Sequence, residues 1–99
     1  MRARFTWDRA KAERNQRVHG ISFETAKEVF DDPNQIVGEN YFIEEEGEQR
    51  SQVIGMTRSL ALLLVVFVDR SDPGAEVIHL ISVRKAVDYE KSIYEDQLR

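Results

Sequence analysis

The sequence contains no cysteine. That excludes disulfide staples and thiolate metal sites, and it fits a reducing compartment. Proline occurs twice and glycine five times, too sparsely to form a linker between domains. The longest apolar run, Leu60 to Val68, has nine residues, well short of the ~20 that a helix needs to cross a bilayer. Behind the basic start MRARFTWDRA there is no apolar segment of the kind a secretory signal carries. A cytoplasmic protein with no membrane partner is therefore expected. The only histidines, His19 and His79, have no second ligand at metal-binding spacing. Glycine-rich phosphate loops, nucleophile elbows and internal repeats are missing too. The 99 residues suffice for a single domain, 1–99, with one modest core.

What is present is charge, unevenly placed. The formal net charge is −4. Residues 1–19 hold six cations against two acids, residues 20–49 one cation against nine acids, and residues 50–99 seven of each. A protein that coats nucleic acid without specificity is basic overall. Any contact with nucleic acid must here be local. The run Glu44, Glu45, Glu46, Glu48 has no EF-hand pattern and reads as a solvated loop.

Patterning predicts two helices, four strands and a closing helix. Asp8 caps a helix over Arg9 to Val18, and Gly20 ends it in the left-handed conformation. Ser22 caps a second, shorter helix with Phe23, Ala26, Val29 and Phe30 on one face, and Asp32-Pro33 stops it. The period then becomes strand-like. Predicted strands cover Gln35 to Ile43, irregular at Gly38, then Gln49 to Met56, ALLLVVFVD, and Glu76 to Arg84. The third is apolar on both faces and belongs in the middle of the sheet. Ala86 to Leu98 reads as a helix with Ala86, Tyr89 and Ile93 inward. The expected class is α+β, with helices packed on a four-stranded, mainly antiparallel sheet.

Cations and aromatics at element ends are the candidates for chemistry. Alternation in the fourth strand sets His79 and Arg84 on opposite faces unless a bulge intervenes. Arg50 and Arg84, on strands flanking the apolar third, converge on one sheet face. Two guanidinium forks there would suit a phosphate, because arginine stays charged and binds oxyanions bidentately. Lys11, Arg14 and His19 extend the basic patch or are simply a soluble helix face. Trp7 and Tyr94 stack on bases or pack on the core.

Several separated motifs go further: W-D-x-x-K at Trp7, Asp8 and Lys11, with Asn15; H-G-I-S-F at His19 to Phe23; G-E-x-R at Gly47, Glu48 and Arg50; and I-S-x-R-K-A at Ile81 to Ala86, with Glu90 and Tyr94 beyond. In this order the chain, over residues 5 to 96, resembles the BrnT family of type II toxins. The resemblance implies a RelE-like ribonuclease that inhibits translation by cutting RNA. It also implies a ribbon-helix-helix antitoxin that neutralises the toxin and through which the pair reaches operator DNA. No cofactor is indicated. For metal-independent cleavage the expected roles are Arg50 and Arg84 on the phosphate, and His19 or Glu48 as base or acid. Tyr94 would be a stacking group or proton donor, with Lys11, Lys85 and Trp7 on the RNA. Two positions depart from the family pattern, which favours lysine at Val18 and arginine at His79. The alternative is a weak or inactive partner-binding domain that acts with its antitoxin in promoter control.

Overall fold

The computed structural model describes residues 3–43 and 48–99, and side chains except those of 39–48. The acidic loop Glu44 to Gly47 and the Glu48 side chain lie outside the described residues.

Five strands form one mixed sheet: β1 (Arg4–Trp7), β2 (Ile36–Ile43), β3 (Glu48–Met56), β4 (Leu62–Asp69) and β5 (Val77–Lys85). Their order across the sheet is β1-β5-β4-β3-β2. The four expected strands form the antiparallel part, but the expectation of four was one short. RFTW adds an edge strand parallel to β5, with Arg4 opposite Val77 and Trp7 opposite Leu80. RFTW alternates polar and apolar residues, with Phe5 and Trp7 packed on the first core, but four residues directly ahead of a helix cap are a short signal. Their structure comes from the β5 edge they pair with. As expected, the hydrophobic β4 lies in the centre, and the β2 register breaks between Gly38 and Tyr41.

Helix α1 spans Arg9–His19. The Asp8 carboxylate accepts from the Lys11 N–H, and Gly20 closes the helix at φ 70°. Helix α2, Phe23–Ala26, is capped by Ser22 and tightens into a 3-10 helix over Lys27–Asp31. Helix α3 spans Asp88–Asp96. No helix among the described residues is long and apolar enough to cross a membrane.

The sheet has two unlike faces. On the first, α1, α2 and the 3-10 helix cover Val53, Leu63, Val65, Phe67, Leu80 and Val83. The Phe30 ring stands 5.2 Å from Phe5 and 5.2 Å from Phe67, tying the 3-10 helix to β1 and β4. Gly55 lets that helix approach β3. A Cβ there would sit 2.6 Å from Val29 Cγ1, inside contact distance. Asn15 finishes the β5 edge beyond the end of β1: its Oδ1 accepts from Val83 N–H at 3.1 Å, and its Nδ2 donates to Val83 O at 2.9 Å. The amide thus stands in for a missing neighbouring strand, which accounts for a buried polar residue on α1.

The second face carries Ile54, Leu64 and Val66, and α3 packs on it through the buried Tyr94. Expected inward, Tyr89 is instead 75% exposed, whereas Tyr94 is 4% exposed. The helix starts at Asp88 rather than Ala86, and the Tyr94 hydroxyl has a buried partner that sets which face turns in.

Candidate active site

Register decides which side chains share the second face. Leu64 of its core pairs with Arg84 on one side and Ile54 on the other. Arg50 lies four residues before Ile54, so alternation places it on the same face. The two arginines therefore share a face as expected, but not a single point. Four residues along the strand and two strand spacings separate their backbones by roughly 16 Å.

His79 is where alternation fails. Val66 pairs with Ser82 while Phe67 pairs with Leu80, so Ile81 is the extra residue of a bulge. The bulge resets the period. His79, opposite Val68, lies on the second face with Arg84 rather than away from it. Thr6 is paired with it on β1, and Thr6 Oγ1 lies 2.7 Å from His79 Nδ1. That contact fixes one ring nitrogen and thereby the ring's orientation. Between these groups runs a row of Gln52, Val66 and Ser82. The half of the face beside Arg50 and His79 thus carries polar side chains around a valine floor, and α3 lies toward the other half.

Arg84 is half-buried and rigidly held. Its Nη1 and Nη2 each donate to Glu90 at 2.8 Å, one to each carboxylate oxygen, and Nη1 also donates to Lys85 O at 3.2 Å. Glu90, with a side chain 12% exposed, further accepts from the Val87 N–H at 2.9 Å, closing the first turn of α3. The Arg84 hydrogen bonds hold the Glu90 carboxyl below its ordinary pKa against the opposing effect of burial, and the same bonds raise Arg84.

Beneath α3, Asp32 joins three elements. Its Oδ2 accepts from the Tyr94 hydroxyl at 2.6 Å and from Met56 N–H at 2.8 Å, while Oδ1 accepts from Asn34 N–H at 2.8 Å. Burial alone would raise this carboxyl. The hydrogen bonds from Tyr94, Met56 and Asn34 outweigh it and leave Asp32 below its usual pKa. Burial, reinforced by the hydrogen bond to Asp32, pushes Tyr94 up to about 12.

The remaining candidates lie elsewhere. Lys85 pairs with Leu63 of the first face, so it points away from Arg84. Lys11 and His19 are exposed on α1, one turn before and one turn after Asn15, on the stripe nearest the β5 edge. Trp7 packs edge-on against Phe23, centroids 5.8 Å apart, on the first face. Tyr94 is enclosed between α3 and the sheet. Sequence reasoning gave Thr6 no role, Asp32 only that of a helix stop with Pro33, and treated Glu90 only as part of a motif. The signal for Glu90 was available: an acid three residues after Val87 is a capping-box spacing. A cleft of about 940 Å³ lies between β1 and the 3-10 helix, away from these groups. Its lining mixes Arg4, Lys27 and Arg58 with Glu24, Glu28, Asp31 and Glu76, and ion pairs Lys27–Glu24 and Arg58–Asp31 already engage part of it. Such a lining does not suit a polyanion.

Against known families, residues 7–90 match the model of the ribonuclease toxin BrnT of type II toxin-antitoxin systems. The chain belongs to the BrnT family. Its fold is also similar to that of a solved BrnT, the ribonuclease toxin of Brucella abortus. That likeness has a TM-score of 0.53 at 22% identity, covering 88% of this chain and 100% of the other. No curated protein matches the chain. Family membership confirms the resemblance read from the separated motifs. BrnT proteins as a family are ribonuclease toxins.

Proposed function

We propose that the chain is a metal-independent endoribonuclease that inhibits translation by cutting RNA in the cytoplasm, and that it works on the part of the second sheet face beside α3. The observation that carries this reading is the register that places Arg50, His79 and Arg84 on one face. In such cleavage the ribose 2′-hydroxyl attacks the adjacent phosphorus. The O2′–P bond forms as the P–O5′ bond breaks, leaving a cyclic 2′,3′-phosphate and a free 5′-hydroxyl. The 2′-hydroxyl proton must be accepted, the charge on the phosphoryl oxygens stabilised, and the leaving O5′ protonated.

Arginine serves the second need. With some 16 Å between their backbones, Arg50 and Arg84 address different points along one RNA strand, and Arg84 grips the scissile phosphate. Imidazole can serve as acceptor or donor near neutrality. His79 fills that role better than His19, because it shares a face with both arginines and Thr6 fixes its ring. Opposite Val68 while Arg84 is opposite Leu64, it lies roughly 13 Å along the sheet from Arg84, so the reacting ribose would lie between the two side chains. Enclosure of its hydroxyl against Asp32 favours a scaffolding role for Tyr94. Lys11 extends the cationic rim along the β5 edge, with His19 on the same stripe of α1.

A ribbon-helix-helix antitoxin is the proposed partner, and operator DNA is reached only through it. The runner-up reading, an inactive domain kept for antitoxin binding and promoter control, is favoured by one observation: Glu90 already occupies one edge of the Arg84 fork. Induced expression separates the two. Growth arrest with RNA cleavage that persists in EDTA supports the enzyme, and normal growth supports the binding domain. In the purified chain, R84A and R50A should each lower cleavage by at least about a hundredfold, the scale of losing one transition-state donor. Full activity in both variants would remove this site from consideration.

A further inference from the structure

We propose that Glu90 is a positioning residue for Arg84, and that the buried Asp32–Tyr94 pair anchors it. This inference rests on the reading of the second face as the RNA-cleaving surface. An arginine at a strand exit has many rotamers. This one is fixed by a planar, two-point fork to Glu90 at 2.8 Å and 2.8 Å, with a third bond to Lys85 O. A two-point fork fixes the rotation of the guanidinium as well as its place.

Which donors remain is informative. Arginine has five N–H groups. The two bonds from Nη1 and the one from Nη2 engage three of them. The other two are Nε–H and the outer N–H of Nη2, which run parallel along a different edge of the plane. That edge is itself a fork, matched to two oxygens of a phosphate. Glu90 therefore occupies one recognition edge and aims the other.

The support continues behind Glu90. Its Oε1 also accepts from Val87 N–H, so it cannot swing without opening the first turn of α3. One turn further, Tyr94 donates to Asp32, which is held in turn by the backbone of Met56 and Asn34. Gln97 Nε2 adds a bond to Asn34 O at 2.9 Å. Arg84 is thus referred to the β3 backbone through α3 rather than through its own strand alone.

An anion beside an RNA-binding arginine also has a cost, and the cost supplies the test. Glu90 weakens ground-state attraction to RNA while it aligns the donors that matter in the transition state. E90Q keeps an acceptor for Val87 N–H but loses the charge and the symmetric fork. With a fluorogenic single-stranded RNA oligonucleotide and the uncomplexed chain, E90Q should lower kcat by about tenfold or more while KM stays level or falls. A merely structural defect would raise KM or lower the melting temperature in step with activity. Under enzyme excess, R84A/E90Q should cleave within about twofold of R84A, because without the guanidinium there is nothing left to position. If E90Q does not fold, E90D, which retains the charge but retracts the fork by one methylene, should show the same dependence on Arg84. Wild-type kcat in a folded E90Q, or an equal loss in the Arg84 and R84A backgrounds, would overturn the positioning role alone. Full activity in R84A would instead overturn the placement of the scissile phosphate at Arg84, and full activity in R84A and R50A alike the site itself.

Discussion

The two faces of the sheet solve opposite problems with the same strands. The first is closed: α1, α2 and the 3-10 helix lie over valines, leucines and phenylalanines, and the polar side chain Asn15 serves to complete a strand edge. The second is half open, and its order depends on charge: Asp32 with Tyr94, and Arg84 with Glu90. Apolar packing is non-directional and tolerates small shifts, whereas a fork between guanidinium and carboxylate fixes angles. A surface that must present donors to a phosphate needs the second kind of order. The first face supplies the stability that lets the second be polar and exposed.

That contrast is open to a direct challenge. The largest effect is expected from F67A, which removes the ring that Phe30 packs against on the closed face. A buried phenylalanine cut to alanine costs about 3–5 kcal/mol, a large share of a small domain's stability. Urea or thermal unfolding should show that loss, and activity should fall only as the folded fraction falls. If cleavage drops while the chain remains folded, the division of labour between faces is wrong.

Y94F should have a smaller effect with a pH signature. It removes a hydrogen bond to a buried carboxylate, worth about 1.5–3 kcal/mol. Asp32 is held below its ordinary pKa of about 3.9. Its ionised form therefore stabilises the fold above that pH, and the contribution fades as pH falls through the folded value. Losing the Tyr94 donor raises the folded value, so the acid unfolding midpoint of Y94F should move to higher pH. On the alkaline side the logic inverts. Tyr94 is pushed up to about 12, so its contribution holds below its ordinary pKa of about 10 and is lost as pH climbs through 12. Y94F should lack that alkaline limb. Identical acid midpoints in the two proteins would mean that Asp32 does not depend on α3.

What the sequence made legible follows from how local each signal is. Asp8, Ser22 and Gly20 cap or close helices through bonds within a few residues, and each was readable where it stood. The central place of β4 followed from its apolar residues on both faces. Strand β1 was missed: RFTW alternates polar and apolar, but four residues before a helix cap are a weak signal, and the strand is held by pairing with Val77 to Leu80, more than seventy residues on. The bulge at Ile81 was hidden for a related reason: LISVR has unbroken β propensity, and only the register with β4 shows the extra residue. Of the candidate site, the shared face of Arg50 and Arg84 came from alternation, but their separation did not, since it depends on strand offset. Tyr94 and Glu90 were visible as motif residues. Their partners, Asp32 and Arg84, are fixed by where α3 docks.

R50K should have the smallest effect on folding and so gives the sharpest comparison. Lysine keeps the charge and most of the aliphatic stem, which lies partly buried on the second face. Lysine puts no hydrogen-bonding group in place of the buried Nε, so the change in unfolding free energy should be about 0.5–1.5 kcal/mol, the scale of one altered hydrogen-bonding group and well under that of F67A. What lysine loses is the planar fork, replaced by a point charge with rotatable donors. If Arg50 only attracts RNA, R50K should cleave like the wild type, with the salt dependence of binding unchanged. If it aligns phosphate oxygens, kcat should drop about tenfold or more while binding and its salt slope persist. Paired with F67A, the variant separates the faces by measurement: F67A loses stability with activity following, whereas in R50K any loss of activity is not explained by a loss of stability. Should R50K instead melt as early as F67A, the open face would be bearing structural load, and its polar groups would have to be read as part of the core.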